Sequence, residues 1–244
     1  MSLLYISILF FLISIIYASG GFGGGSSYIA ILLLANLPVV EVRYLALVCN
    51  VVVVATACIY YYKSDLLSIK SIMPLIILSI PAAMLGGMIS ADDSIYKFIA
   101  AASLIVAGLL MLMPRQVKGT TNLTSVHLSG MGGAIGLLSG FVGIGGGIFL
   151  SPVLHLAQWR TARVISASAS LFILVNSIAG LIGQSINNPS VDVQLCLILA
   201  AVVFVGGRIG NAINIQLLEP KKIKLITAIL VISVGLRLII THFM

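Results

Sequence analysis

The residues with the clearest chemistry in this chain are two glycine runs, Gly21-Phe22-Gly23-Gly24-Gly25 and, 122 residues further on, Gly143-Ile144-Gly145-Gly146-Gly147. Consecutive glycines admit positive φ and carry no side-chain bulk, so successive backbone N–H groups can converge on one ligand. A helix that begins at such a run adds unpaired amides and a positive dipole end aimed at the same point. That combination suits an oxyanion. The candidate binding residues are therefore Gly23, Gly24 and Gly25 in the first run and Gly145, Gly146 and Gly147 in the second, with the hydroxyls of Ser26, Ser27 and Ser151 close behind. A second set is polar inside otherwise apolar stretches: Asn50 with Thr56, and Ser168, Ser170 and Asn176. Spacings of six to eight residues put them on roughly one helical face. Arg43 and Arg163 each begin an apolar stretch, where a guanidinium could draw an anion to the mouth of a path.

Each of these residues also has a plainer use. Glycines in apolar helices often serve close packing, a reading that applies above all to Gly86, Gly87, Gly206 and Gly207. Serine and threonine hydroxyls bond the backbone one turn earlier, and asparagines glue helices together. Basic residues at helix ends reach for the interface. His155 could carry a proton, but a lone histidine is more often packed, and His127 and His242 read as interfacial. No Lys-Ser/Thr pair follows either glycine run, which argues against a phosphate loop of the nucleotide-hydrolysing kind. There is no His-Glu-x-x-His, no pair of intramembrane aspartates and no supported Ser-His arrangement, so neither an enzyme nor a metal or cofactor is expected. Cys49, Cys58 and Cys196 lie in apolar stretches without paired or metal-ligand spacing.

These residues must be positioned by membrane helices. Hydrophobic residues make up 60% of the chain, charged residues 8%, and the mean hydropathy is +1.22. No soluble fold hides that much apolar surface. The formal charge of +7 is scattered one to three residues per loop, a pattern that reports membrane orientation and gives nucleic acid nothing to bind. The first apolar stretch, Leu3 to Tyr17, has no basic residues before it and its layout returns at mid-chain, so it reads as mature structure and not as a secretory signal.

Apolar stretches run at about 3–19, 22–37, 43–62, 71–90 and 95–113, and again at about 126–142, 144–158, 163–186, 192–214 and 223–242. The polar break between them divides the chain into residues 1–113, a linker 114–125, and residues 126–244. The halves align in ordered blocks: the glycine runs at a shift of 122; Arg43 on Arg163, Thr56 on Asn176 and Gly86-Gly87 on Gly206-Gly207 at 120; Lys97 on Lys224 and Gly108-Leu109 on Gly235-Leu236 at 127. Such a duplication is a common transporter plan.

The string Gly140-Phe141-Val142-Gly143-Ile144-Gly145-Gly146-Gly147, with Pro152, the segment Ser166 to Ser170, Asn176-Ser177 and Gly206-Gly207, resembles the TauE/SafE sulfite exporter family. The resemblance covers nearly the whole chain and is firmest in the second half. It implies a membrane transporter of sulfite, sulfonates or related small anions. The sequence departs from the family after the first glycine run, where Ser26-Ser27-Tyr28-Ile29 follows in place of the usual proline and Val48-Cys49-Asn50 replaces a serine-rich stretch.

Charge placement separates two topologies. If each glycine run breaks one crossing helix, eight basic residues fall inside and five outside. If each run is the tip of a hairpin that enters and leaves on one side, ten fall inside and only Arg43, Lys97 and Arg237 outside, while Glu41, Asp92, Asp93 and Asp192 all land outside. The positive-inside rule favours the hairpins. The expected fold is thus an all-α polytopic membrane protein of two repeats, each a glycine-broken hairpin followed by three transmembrane helices, the second inverted relative to the first. Both termini then lie outside the cytoplasmic membrane. Whether each hairpin arm crosses fully or stops at mid-membrane stays open, as does assembly into a homodimer. The expected activity is alternating-access transport or export of a small anionic substrate, with a passive channel and a non-transporting scaffold as alternatives.

Overall fold

A computed structural model of the chain describes residues 2–112, 124–157, 159–187, 189–213 and nine positions between 225 and 240. Most of the linker, together with Arg115, Lys118, Lys221, Lys222, Lys224, Arg237 and His242, lies outside them. Every regular element among the described residues is an α-helix, as the apolar stretches predict: α1 (Leu3–Ser19), α2 (Gly25–Leu34), α3 (Val39–Lys63), α4 (Ile69–Met88), α5 (Asp93–Leu112), α6 (Ser125–Val142), α7 (Gly147–Leu156), α8 (Ala162–Ser185) and α9 (Val193–Ile213). Six of these, α3, α4, α5, α6, α8 and α9, are long and apolar enough to cross a bilayer. The chain is therefore a multi-pass membrane protein.

The glycine runs interrupt helices where expected. α6 stops at Gly143, whose φ of +88° forms a left-handed C-cap and whose amide donates to the Ser139 carbonyl at 2.8 Å. α2 and α7 start behind Gly24 and Gly146, at φ of +84° and +82°. Each of these two helices has 10 residues, about 15 Å, or half of a hydrocarbon core about 30 Å thick. On the α2 and α7 arms, then, the hairpins have re-entrant length. α2 doubles back along α1, because the Tyr28 ring stacks on Phe10 with centroids 4.5 Å apart, and those residues would be far apart along one continuous helix.

Contacts at the helix ends discriminate between the two topologies. The Asp192 amide donates to Glu41 Oε1 at 3.0 Å, and Asn187 Nδ2 donates to the Met88 carbonyl at 3.0 Å. A broken crossing helix would set the members of both pairs on opposite sides of a membrane; hairpins set them on the same side. At the other end, Tyr61, Leu66 and Leu67 cluster with Ala167 near the start of α8. α3 and α8 therefore run antiparallel.

Helices pack through glycine. On α6, Gly132, Gly136 and Gly140 recur every fourth residue, and a Cβ on any of them would strike the carbonyls of Leu75, Ser79 and Ala83, which recur every fourth residue on α4. On α9, Gly206 and Gly210 press the backbone of α1 at Phe11 and Ile15 in the same way. Side chains there would hold the helices apart, so these are close-approach seams of the small-xxx-small kind. Gly86 and Gly87 sit against the backbones of α6 and α8, and Gly207 faces Val53 and Thr56 of α3. The packing use of these four positions is the one the structure displays.

Candidate glycine-loop site

The turn joining α1 to α2 and the turn joining α6 to α7 meet inside the protein. A Cβ on Gly25 would lie 2.6 Å from the Ile144 carbonyl oxygen, and one on Gly147 would lie 3.7 Å from Phe22 Cδ1. Gly21, Gly24, Gly143, Gly145 and Gly146 all adopt positive φ, between +79° and +88°. Gly21 and Gly23–Ser27 are buried, and so is the whole of 140–151. Neither α2 nor α7 has a side-chain cap, so their first amides lack intrahelical partners at the place where the two turns touch.

Asn50, midway along α3, joins the two turns. Its side chain fills the space that Cβ atoms on Gly23 and Gly25 would need and lies 2.9 Å from the Cβ position of Gly145. Its Nδ2 donates to the Ile144 carbonyl at 2.9 Å, while its Oδ1 is buried with no hydrogen-bond partner among the described residues. Ser177 Oγ stands 2.9 Å from the same Gly145 position and Ser139 packs beside Gly146; both hydroxyls are buried and unpartnered. Three buried polar groups without a partner among the described residues thus gather around the two turns, and leaving such groups unsatisfied is costly.

The shells around the two turns differ. Asn50 and Val54 line the first; Ile173 and Ser177, each 123 residues later, line the second. Around the two turns α3 and α8 thus correspond at a shift of 123, against 120 in the sequence alignment, and at that shift Thr56 does not fall on Asn176 nor Arg43 on Arg163.

The other expected residues fall as follows. Ser26 and Ser27 are buried at the start of α2, where Tyr17 OH lies 2.8 Å from Ser27 Oγ and 3.4 Å from Ser26 Oγ. Ser151 is buried on α7, and Ser168 and Ser170 on α8, with Ser170 Oγ donating to the Ala167 carbonyl at 2.9 Å. Asn176 is buried; Nδ2 bonds the Phe172 carbonyl at 2.8 Å and Oδ1 is unpartnered. Thr56 is not at the turns: it donates to the Val53 carbonyl and accepts from Asn211 of α9 at 2.8 Å, which ties α3 to α9.

Arg43 is 5% exposed and is not at a mouth. Its guanidinium donates to the carbonyls of Ile89, Gly86, Gly87 and Gly140, at 3.1 to 3.4 Å, and lies over the rings of Tyr96 and Phe141. Those carbonyls belong to the C-terminal ends of α4 and α6, whose negative dipole ends favour a cation. Arg163 is exposed at the start of α8. Sequence reasoning did not single out Ser139 or Ser177 as binding residues; Ser177 adjoins Asn176 within the motif that carries the family resemblance, and Ser139 precedes the second glycine run by one helical turn.

Comparison with known proteins agrees with this architecture. A probable membrane transporter protein of Sinorhizobium fredii, y4hK, is 31% identical over 240 residues, 96% of this chain and 97% of that protein. A probable membrane transporter protein of Methanocaldococcus jannaschii is 32% identical over 109 residues, 41% of this chain and 40% of that protein. No solved structure matches the chain significantly. The family described as Sulfite exporter TauE/SafE matches residues 6–238, and the chain belongs to that family of membrane transporters.

Proposed function

We propose that the chain is a secondary carrier of small oxyanions, with sulfite, small sulfonates and related anions as the cargo class, working by alternating access across the cytoplasmic membrane. The observation that carries this reading is the meeting of two uncapped helix starts, α2 and α7, around the buried side chain of Asn50. An anion entering a bilayer loses its hydration; amides freed by glycine replace it. The site is closed on all sides by buried residues, so cargo enters only if parts of the protein move. The antiparallel run of α3 and α8 supports an inverted-repeat carrier, in which one half rocks against the other around the site. Charge placement supports both termini outside. Arg43 orders the frame of the site, and Arg163 meets the solvent on the inner side.

The test is flux in proteoliposomes. Saturable exchange of sulfite or a small sulfonate is expected, and complete absence of flux with every small anion would leave the chain a scaffold. Gly24→Val and Gly146→Val place a branched side chain at φ above +80°, which only glycine adopts without strain. Each is expected to abolish flux while membrane insertion persists. Retained flux in both would reduce the turns to packing devices.

A further inference from the structure

We infer that the cargo is a monoanion that carries its own hydrogen-bond donor, an O–H or N–H group accepted by Asn50 Oδ1; this rests on the binding reading above. The orientation of the Asn50 amide is fixed by its neighbour. Nδ2 faces the Ile144 carbonyl at 2.9 Å, and turning the amide over would set oxygen against oxygen. Oδ1 is therefore the atom turned toward Gly23, in a residue with no exposed surface, and it has no donor among the described residues. Gly25 and Gly145 flank the same amide. An unpartnered acceptor in the same shell as the free helix-start amides serves no bare oxyanion, because an anion without hydrogens offers only acceptors. A cargo with one donor satisfies both sides: its oxygens take the amides and its hydrogen goes to Oδ1.

The charge of the site leads independently to a single negative charge. The amide ends of α2 and α7 contribute about +0.5 each, and the C-terminal end of α1 beside the first turn subtracts about 0.5. Arg43 is offset by the ends of α4 and α6 on which it lies. The local balance of about +0.5 lies nearer to what one negative charge needs than to what two need. Asn50 has Ile173 as its counterpart around the second turn, so this acceptor occurs once and the site reads its cargo from one side.

The test compares anions of equal charge and shape on the unaltered protein, in proteoliposome counterflow. Glycolate is set against propanoate, and isethionate against propane-1-sulfonate; each pair differs by a hydroxyl in place of a methyl. Sulfate serves as the dianion. The hydroxylated member of the accepted pair is expected to be favoured about ten-fold, with sulfate a weaker competitor than either monoanion of that pair. Asn50→Leu, of similar shape but without the acceptor, is expected to bring the ratio near one. Saturable flux with equal preference within each pair, or sulfate as the best competitor, would overturn the inference and leave the carrier reading standing. No saturable flux with any of the five anions, nor with sulfite, would overturn both.

Discussion

At the scale of single residues, the chain spends its few buried polar groups in two ways. Asn50, Ser139 and Ser177 keep hydrogen-bonding capacity free around the glycine turns, whereas Arg43 uses its own to hold carbonyls at the ends of α4 and α6. Replacing Arg43 by Met should leave those carbonyls without their donor and lower stability by on the order of 3 kcal/mol. Thermal unfolding in detergent checks this, and an unchanged midpoint would show the guanidinium to be dispensable. The glycine turns and Asn50 were legible in the sequence because few residue types tolerate positive φ or justify an amide in an apolar span. Arg43 was misplaced for a physical reason. A basic residue at the start of an apolar stretch usually reaches for water, and nothing local reveals that the C-terminal ends of α4 and α6, distant in sequence, converge on it.

At the scale of helices, stability in a bilayer comes from close backbone approach, since lipid tails are as apolar as leucine. α6 shows the contrast within one element. A Cβ on Gly136 would collide with the Ser79 carbonyl, while Gly130 faces open space. Gly136→Leu should part α6 from α4 and cost the folded protein, and Gly130→Leu should be tolerated. Size-exclusion profiles of the purified variants distinguish these outcomes, and equal profiles would contradict the seam. Helix existence was plain from apolar runs of bilayer length. The register between α3 and α8 was not, because apolar helices align about equally well at several shifts, and only the shells around the turns fix it at 123.

At the scale of the whole molecule, the paired contacts Asp192–Glu41 and Asn187–Met88 gather one set of loops at one end, with the α3–α4 turn and the start of α8 at the other. The orientation proposed from the positive-inside rule has the first end outside. In a background with Cys49, Cys58 and Cys196 replaced, cysteines introduced at the exposed Asp92 and Ser190 should react with an impermeant maleimide on intact cells. Cysteines at Ser68 and Thr161 should react only after lysis. The reverse pattern would invert the orientation, and reaction of all four from one side would contradict the fold. The sequence carried this topology in its charges, weakly, since only 13 basic residues report it.

Carriage as proposed requires that the anion sit between the two glycine turns. Diffraction from crystals grown with selenite, whose selenium scatters anomalously, tests this most directly. The expected result is an anomalous peak between Gly23–Gly25 and Gly145–Gly147, within hydrogen-bond reach of the first amides of α2 and α7 and of Asn50. A peak elsewhere in the protein, with those turns still closed on each other, would contradict it.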